Sequence, residues 1–127
     1  MNFGSISEGS DVDVFQWKSV PSMKYRAVVG YNTSLYWAFE LLNSATYICD
    51  MTVKHNETVI FSIINNQNHQ RIKGVQFTYT DSSLEMVIDS VKWQDSGSYQ
   101  LIVQLNVSLT MLETLSDVTS LNLYEGM

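Results

Sequence analysis

The chain has 127 residues, 45% of them hydrophobic and only one of them proline, which suits a single packed domain and excludes a disordered tail or a two-domain catalytic cleft. The formal net charge is −6, with seven lysines and arginines scattered along the chain. Phosphate binding needs such residues in clusters, so nucleic acid is not the expected partner and a protein or glycan is.

In chain order, the stretch MNFGSISEGSDVDVFQWK has acidic residues where a secretory signal needs a basic start and an apolar middle. Residues 1 to about 10 are expected to be flexible, and VDVFQWKSV reads as an early edge strand within an N-terminal arm, residues 1–23. Residues 24–127 read as the domain proper. Strand signals follow as KYRAVV, TSLYWAFEL, TYICDM and TVIFSII, each bounded by Asn, Gly or charged residues. After the polar break NNQNHQ come IKGVQFTY, SLEMVID, SYQLIVQL and VTSLNLY. Period-two patterning without a helical stripe predicts an all-β protein of two face-to-face sheets.

Three triplets, Asn32-Thr33-Ser34, Asn56-Glu57-Thr58 and Asn106-Val107-Ser108, are acceptor sequences for N-linked glycan and favour an extracellular setting, at the cell surface or secreted. The competing reading is a cytosolic chain rich in Asn, Ser and Thr. A single cysteine, Cys49, excludes an internal disulfide. No run of about 18 apolar residues occurs, so the fragment is expected to be soluble, without inserting directly into a membrane.

The segment Met86 to Tyr99, MVIDSVKWQDSGSY, resembles the E-to-F corner of immunoglobulin V-type domains. The resemblance implies that Tyr99 is the corner tyrosine, its ring in the core and its hydroxyl on backbone. It further implies that Asp95 pairs with a basic residue beginning strand D, either Arg71 or Lys73. Gly30, Thr33, Leu35 and Trp37 are similar to the family's strand B, where the last of these positions is normally the first cysteine. Leu101 stands where the second is expected, and Cys49 stands on strand C where the family carries its core tryptophan. The expected fold is thus a V-type sandwich of two antiparallel sheets without the B–F disulfide. The Trp37 indole would span toward Leu101, and Cys49, a small inert buried thiol, would give it room. Sandwiches of this kind resemble the outer domain of the signalling lymphocyte activation molecule family, or those of the carcinoembryonic-antigen-related adhesion molecules, including a virally captured copy.

Such a resemblance implies binding rather than catalysis. With Tyr99, Leu101 and Val103 inward, alternation turns Gln100, Ile102 and Gln104 outward. The same C-C′-F-G face is expected to present Ile48, Asp50, Phe61, Ser120 and Asn122, with Ile102 and Phe61 as apolar anchors. The expected partner is another cell-surface protein, a second immunoglobulin-type domain, with a weak homodimer as a variant. The alternatives are a viral immune-modulating decoy that binds a host receptor and a structural module of a larger chain. A glycan on Asn106 would shield part of this face, and VSLTMLETL would be either an interaction tip or simple strand pairing. Glu113, Asp117 and Glu125 read as solvated acids. His55 and His69 lie in polar breaks without a cysteine pair or carboxylate cluster, so neither a metal nor another cofactor is expected. No nucleophile, phosphate loop or paired catalytic carboxylates point to an enzyme.

Overall fold

A computed structural model describes residues 14–108 and 111–126. The flexibility expected of residues 1 to about 10 falls outside these, as does Leu109 of VSLTMLETL. The described residues form ten strands: β1 (Phe15–Ser19), β2 (Lys24–Val28), β3 (Thr33–Leu41), β4 (Tyr47–His55), β5 (Thr58–Ile64), β6 (Gln67–Gln70), β7 (Val75–Thr80), β8 (Ser83–Ile88), β9 (Gly97–Ser108) and β10 (Met111–Tyr124). They make a four-stranded sheet, β1-β3-β8-β7, and a six-stranded sheet, β2-β10-β9-β4-β5-β6. Pairing is antiparallel throughout except between β2 and β10, which run parallel.

Alternation decides which side of each strand is dry. In β3, Leu35, Trp37 and Phe39 are buried while Tyr36 and Glu40 face out; in β9, Tyr99, Leu101, Val103 and Leu105 are buried. These rows meet Leu84, Met86 and Ile88 of β8 and Met51 and Val53 of β4 in one core between the sheets. Phe61 of β5 stacks on Phe77 of β7, ring centroids 4.1 Å apart, and joins the layers at that edge.

Two hairpins are closed by paired left-handed residues. Asn56 and Glu57, at φ 49° and 74°, turn β4 into β5, and Asn65 and Asn66, at 53° and 63°, turn β5 into β6. Two-residue turns with positive φ match the strand twist, and asparagine tolerates that region. The polar break NNQNHQ is therefore a turn plus a short exposed edge strand.

The expected boundary at residue 24 does not coincide with a break in packing. Val14 and Phe15 are buried, β1 pairs with β3, and Phe15 stacks on Phe39 at 5.3 Å.

Candidate functional site

Trp37 and Leu101 are both fully buried in the core between the sheets. Across β10 from Leu101 stands Asp117. Directly opposed residues of an antiparallel pair point to the same face, so Asp117 is turned inward and only half-buried. The Trp37 indole Nε1–H donates to Asp117 Oδ2 at 2.9 Å. This bond joins β3 of one sheet to β10 of the other beside the position where a second cysteine would stand. Asp117 is thus not the solvated acid that was expected; it is the acceptor that lets a buried indole keep its hydrogen bond.

At the corner, Tyr99 is 3% exposed and its hydroxyl donates to the Asp95 carbonyl oxygen at 2.5 Å. Burial, with a smaller contribution from the Asp95 carboxylate, pushes the Tyr99 phenol well above the ordinary tyrosine range. His55 lies flat on the ring, centroids 4.3 Å apart, and its Nε2–H donates to the Ser96 carbonyl oxygen at 2.8 Å.

The carboxylate of Asp95 is used differently from what the resemblance implied. It accepts the Lys92 backbone N–H at 2.8 Å, closing the single 3-10 turn Trp93–Asp95. Among the described residues it forms no ion pair with Arg71 or Lys73. Arg71 is exposed, contributing its backbone N–H to Ile60 O at 3.0 Å, so it does not belong to the core.

Register gives the outer face of the six-stranded sheet residue by residue. Across its middle run Ser116, Ile102, Thr52 and Ser62, from β10 through β9 and β4 to β5. One rung on run Thr114, Gln104, Asp50 and Ile64, and on the other side Val118, Gln100, Lys54 and Val59. Toward β2, Ser120 pairs with Lys24 and Asn122 with Arg26, and the Arg26 guanidinium lies 4.6 Å over the Tyr124 ring. Gln100, Ile102, Gln104, Asp50, Ser120 and Asn122 therefore share one face.

Ile48 and Phe61 do not share it. Ile48 pairs with Leu105 and Asp50 with Gln104, which leaves Cys49 as the extra residue of a β-bulge. A one-residue slip reverses facing, so Ile48 packs against the core while Tyr47, opposite Asn106, turns out and is 57% exposed. A second irregularity, between Val53 and Lys54, leaves Ile60 without a paired residue on β4 and sets Phe61, itself 1% exposed, opposite inward-facing Val53. Tyr47, Ile64, Leu112 and Val118 are the exposed apolar side chains that replace them. Cys49 is half-buried at its bulge rather than in the core, and burial, then Asp50, raise its thiol above the ordinary range.

Of the acceptor asparagines, Asn106 sits on the outer face between Tyr47 and Leu112. Asn32 and Asn56 are exposed at turns, and their side-chain oxygens accept from Ser90 N at 3.0 Å and Ser98 N at 2.9 Å. No group of three or more His, Cys, Asp or Glu side chains is gathered for a metal among the described residues. His69 is exposed on β6. No helix among the described residues is long and apolar enough to cross a membrane.

No family model matches the chain, and no curated protein matches it in sequence. Solved structures do match. Murine CRIg superposes with a TM-score of 0.73 at 9% identity, over 87% of this chain and 98% of that one. A chimeric titin tandem gives 0.68 at 15% identity over 88% of this chain, which spans 50% of the tandem. A complex of titin with an obscurin-like 1 immunoglobulin domain gives 0.59 at 10% identity, over 90% and 97%. The fold is an immunoglobulin β-sandwich, built without an intersheet disulfide.

Proposed function

We propose that this domain is a V-type recognition module, working outside the cell, that binds another surface protein through the outer face of its six-stranded sheet. Support for the V-type assignment comes from β5 and β6, which extend the sheet beyond the strands of a constant-type sandwich. The extracellular setting is favoured by the three glycan acceptor triplets. A partner of the same fold is favoured because immunoglobulin domains do assemble with one another, as in the titin and obscurin-like 1 complex.

The observation that carries the reading is the composition of that face. Ile102 lies near its centre among Gln100, Gln104, Thr52 and Ser116, with Ile64 and Val118 exposed on flanking rungs. An apolar centre within a polar surround is the anatomy of a modest, specific protein contact. Lys24, Arg26 and Lys54 face out there beside Asp50, while Glu113 and Asp117 of β10, opposite inward-facing Leu105 and Leu101, are turned to the other side of the sheet. Such a face repels the same face of a second copy, which disfavours a symmetric face-to-face homodimer.

A surface-plasmon-resonance screen of the glycosylated domain against cell-surface immunoglobulin domains tests this. The hit should lose at least about tenfold in affinity with Ile102→Arg and weaken as salt rises. Unchanged affinity in Ile102→Arg, with an unchanged circular dichroism spectrum, would exclude this face.

A further inference from the structure

Two exposed apolar side chains of the outer face are left over by the partner-binding reading. Tyr47 and Leu112 are each 57% exposed, and each stands directly opposite Asn106, Tyr47 on β4 and Leu112 on β10. Opposed residues of antiparallel strands point to the same face. The three side chains therefore form one rung, next to Thr114, Gln104, Asp50 and Ile64, with the asparagine in the middle. The bulge at Cys49 is what turns Tyr47 to this side. Two strand spacings, about 9–10 Å, separate β4 from β10 across β9, and that gap takes a single sugar ring between the tyrosine and the leucine.

Asn106 opens the acceptor triplet Asn106-Val107-Ser108, and its carboxamide differs from those of the other two triplets. Asn32 Oδ1 accepts from Ser90 N at 3.0 Å and Asn56 Oδ1 from Ser98 N at 2.9 Å, while the Asn56 amide nitrogen would lie 2.6 Å from a Cβ added at Gly97. Those two amides are fixed by the turns they serve. No side-chain hydrogen bond holds the Asn106 carboxamide among the described residues, so its rotamers can aim a substituent on the nitrogen along the rung. N-acetylglucosamine suits the neighbours, since it is uncharged and offers C–H groups and an acetyl methyl to an aromatic ring and a branched aliphatic chain while its hydroxyls stay in water.

We propose that Asn106 carries an N-linked glycan whose first N-acetylglucosamine lies against the Tyr47 ring and the Leu112 side chain. The chain's own sugar then covers the apolar end of the outer face and leaves Ile102, with Ile64 and Val118, for the partner. This rests on the extracellular reading above. The donor is a lipid-pyrophosphate-linked oligosaccharide: Asn106 Nδ2 bonds the anomeric carbon, the bond from that carbon to pyrophosphate breaks, and Nδ2 gives up one proton as the lipid pyrophosphate leaves.

The test sends the intact chain into the secretory pathway of mammalian cells behind a leader peptide, with glycans held at the high-mannose stage so that an endoglycosidase can trim each to one sugar. Mass spectrometry should find Asn106 occupied in the secreted, folded protein. After trimming, the acetyl methyl on Asn106 should show a nuclear Overhauser contact to the Leu112 methyls and an upfield ring-current shift that Tyr47→Ala abolishes. Before trimming, peptide N-glycosidase should release the Asn106 glycan about fivefold faster from folded Tyr47→Ala than from the parent, the factor a contact of modest size gives, with equal rates once both are unfolded. Leu112→Ser, on the opposite flank, should speed release in the same way. A secreted chain with Asn106 bare, an acetyl methyl without the shift, or equal release from the folded parent and both variants would overturn the proposal and leave the extracellular reading standing. Retention of the chain inside the cell with no sugar on any of the three acceptors would remove both.

Discussion

Truncating Trp37 tests the substitution of an indole for a disulfide most directly. The side chain is fully buried, and Trp→Ala at such a site costs about 3–5 kcal/mol through lost transfer energy and the cavity left behind. Area gives a similar scale: a buried indole removes about 150–250 Å² from water, which at about 25 cal/mol per Å² is roughly 4–6 kcal/mol as an upper bound. A disulfide at this place would typically contribute about 2–4 kcal/mol, so the exchange is balanced. Part of the Trp37 contribution is the bond to Asp117 at 2.9 Å. Hydrogen bonds to charged groups contribute about 1.5–3 kcal/mol, and the half-buried position of Asp117 argues for the lower end. A double-mutant cycle of Trp37→Phe and Asp117→Ala isolates that bond and should return a coupling of about 1–1.5 kcal/mol. Guanidinium unfolding followed by far-ultraviolet circular dichroism is the assay, since Trp17 and Trp93 would confuse a fluorescence signal. A loss below about 1 kcal/mol for Trp37→Ala, or a coupling indistinguishable from zero, would refute the packing argument.

Raising the pH should separate Tyr99 from the other tyrosines. Because its phenol is held above the ordinary range in the fold, its stabilisation is complete below the unfolded-state pKa of about 10 and is lost as the pH climbs beyond it. Absorbance at alkaline pH should show one tyrosine lagging, and Tyr99→Phe should remove the lag and cost about 0.5–1.5 kcal/mol for the lost corner bond. At Gly97, φ is +124° and an added Cβ would lie 2.4 Å from the Asn56 side-chain oxygen. Gly97→Ala should therefore lower stability by about 1–3 kcal/mol in a urea melt, with only part regained in the Asn56→Ala background because the backbone strain remains.

What could be read from residue order was whatever repeats with period two. TSLYWAFEL and TVIFSII coincide with β3 and β5, and the resemblance over Met86 to Tyr99 was close enough to place Tyr99 in the core. Facing was lost where a bulge adds a residue. Nothing in TYICDM marks Cys49 as the residue to be skipped, so alternation set Ile48 beside Asp50 although β9 pairs them with adjacent residues, Leu105 and Gln104. Phe61 was misplaced in the same way by the irregularity near Val53. The strand within NNQNHQ had a signal that went unused: Asn65-Asn66 is a two-residue hairpin turn of the kind asparagine tolerates. Asp117 had none, because an inward carboxylate is intelligible only once the indole that needs it is in view.

The indole–carboxylate link has a consequence for where this sandwich can be made. Nothing that holds its layers together requires an oxidant, a thiol-handling enzyme or a lumen poised to form sulfur–sulfur bonds. Assembly can therefore finish at the same stability in glutathione-rich cytosol as in a secretory compartment, and a reductant strong enough to open ordinary antibody domains leaves this one intact.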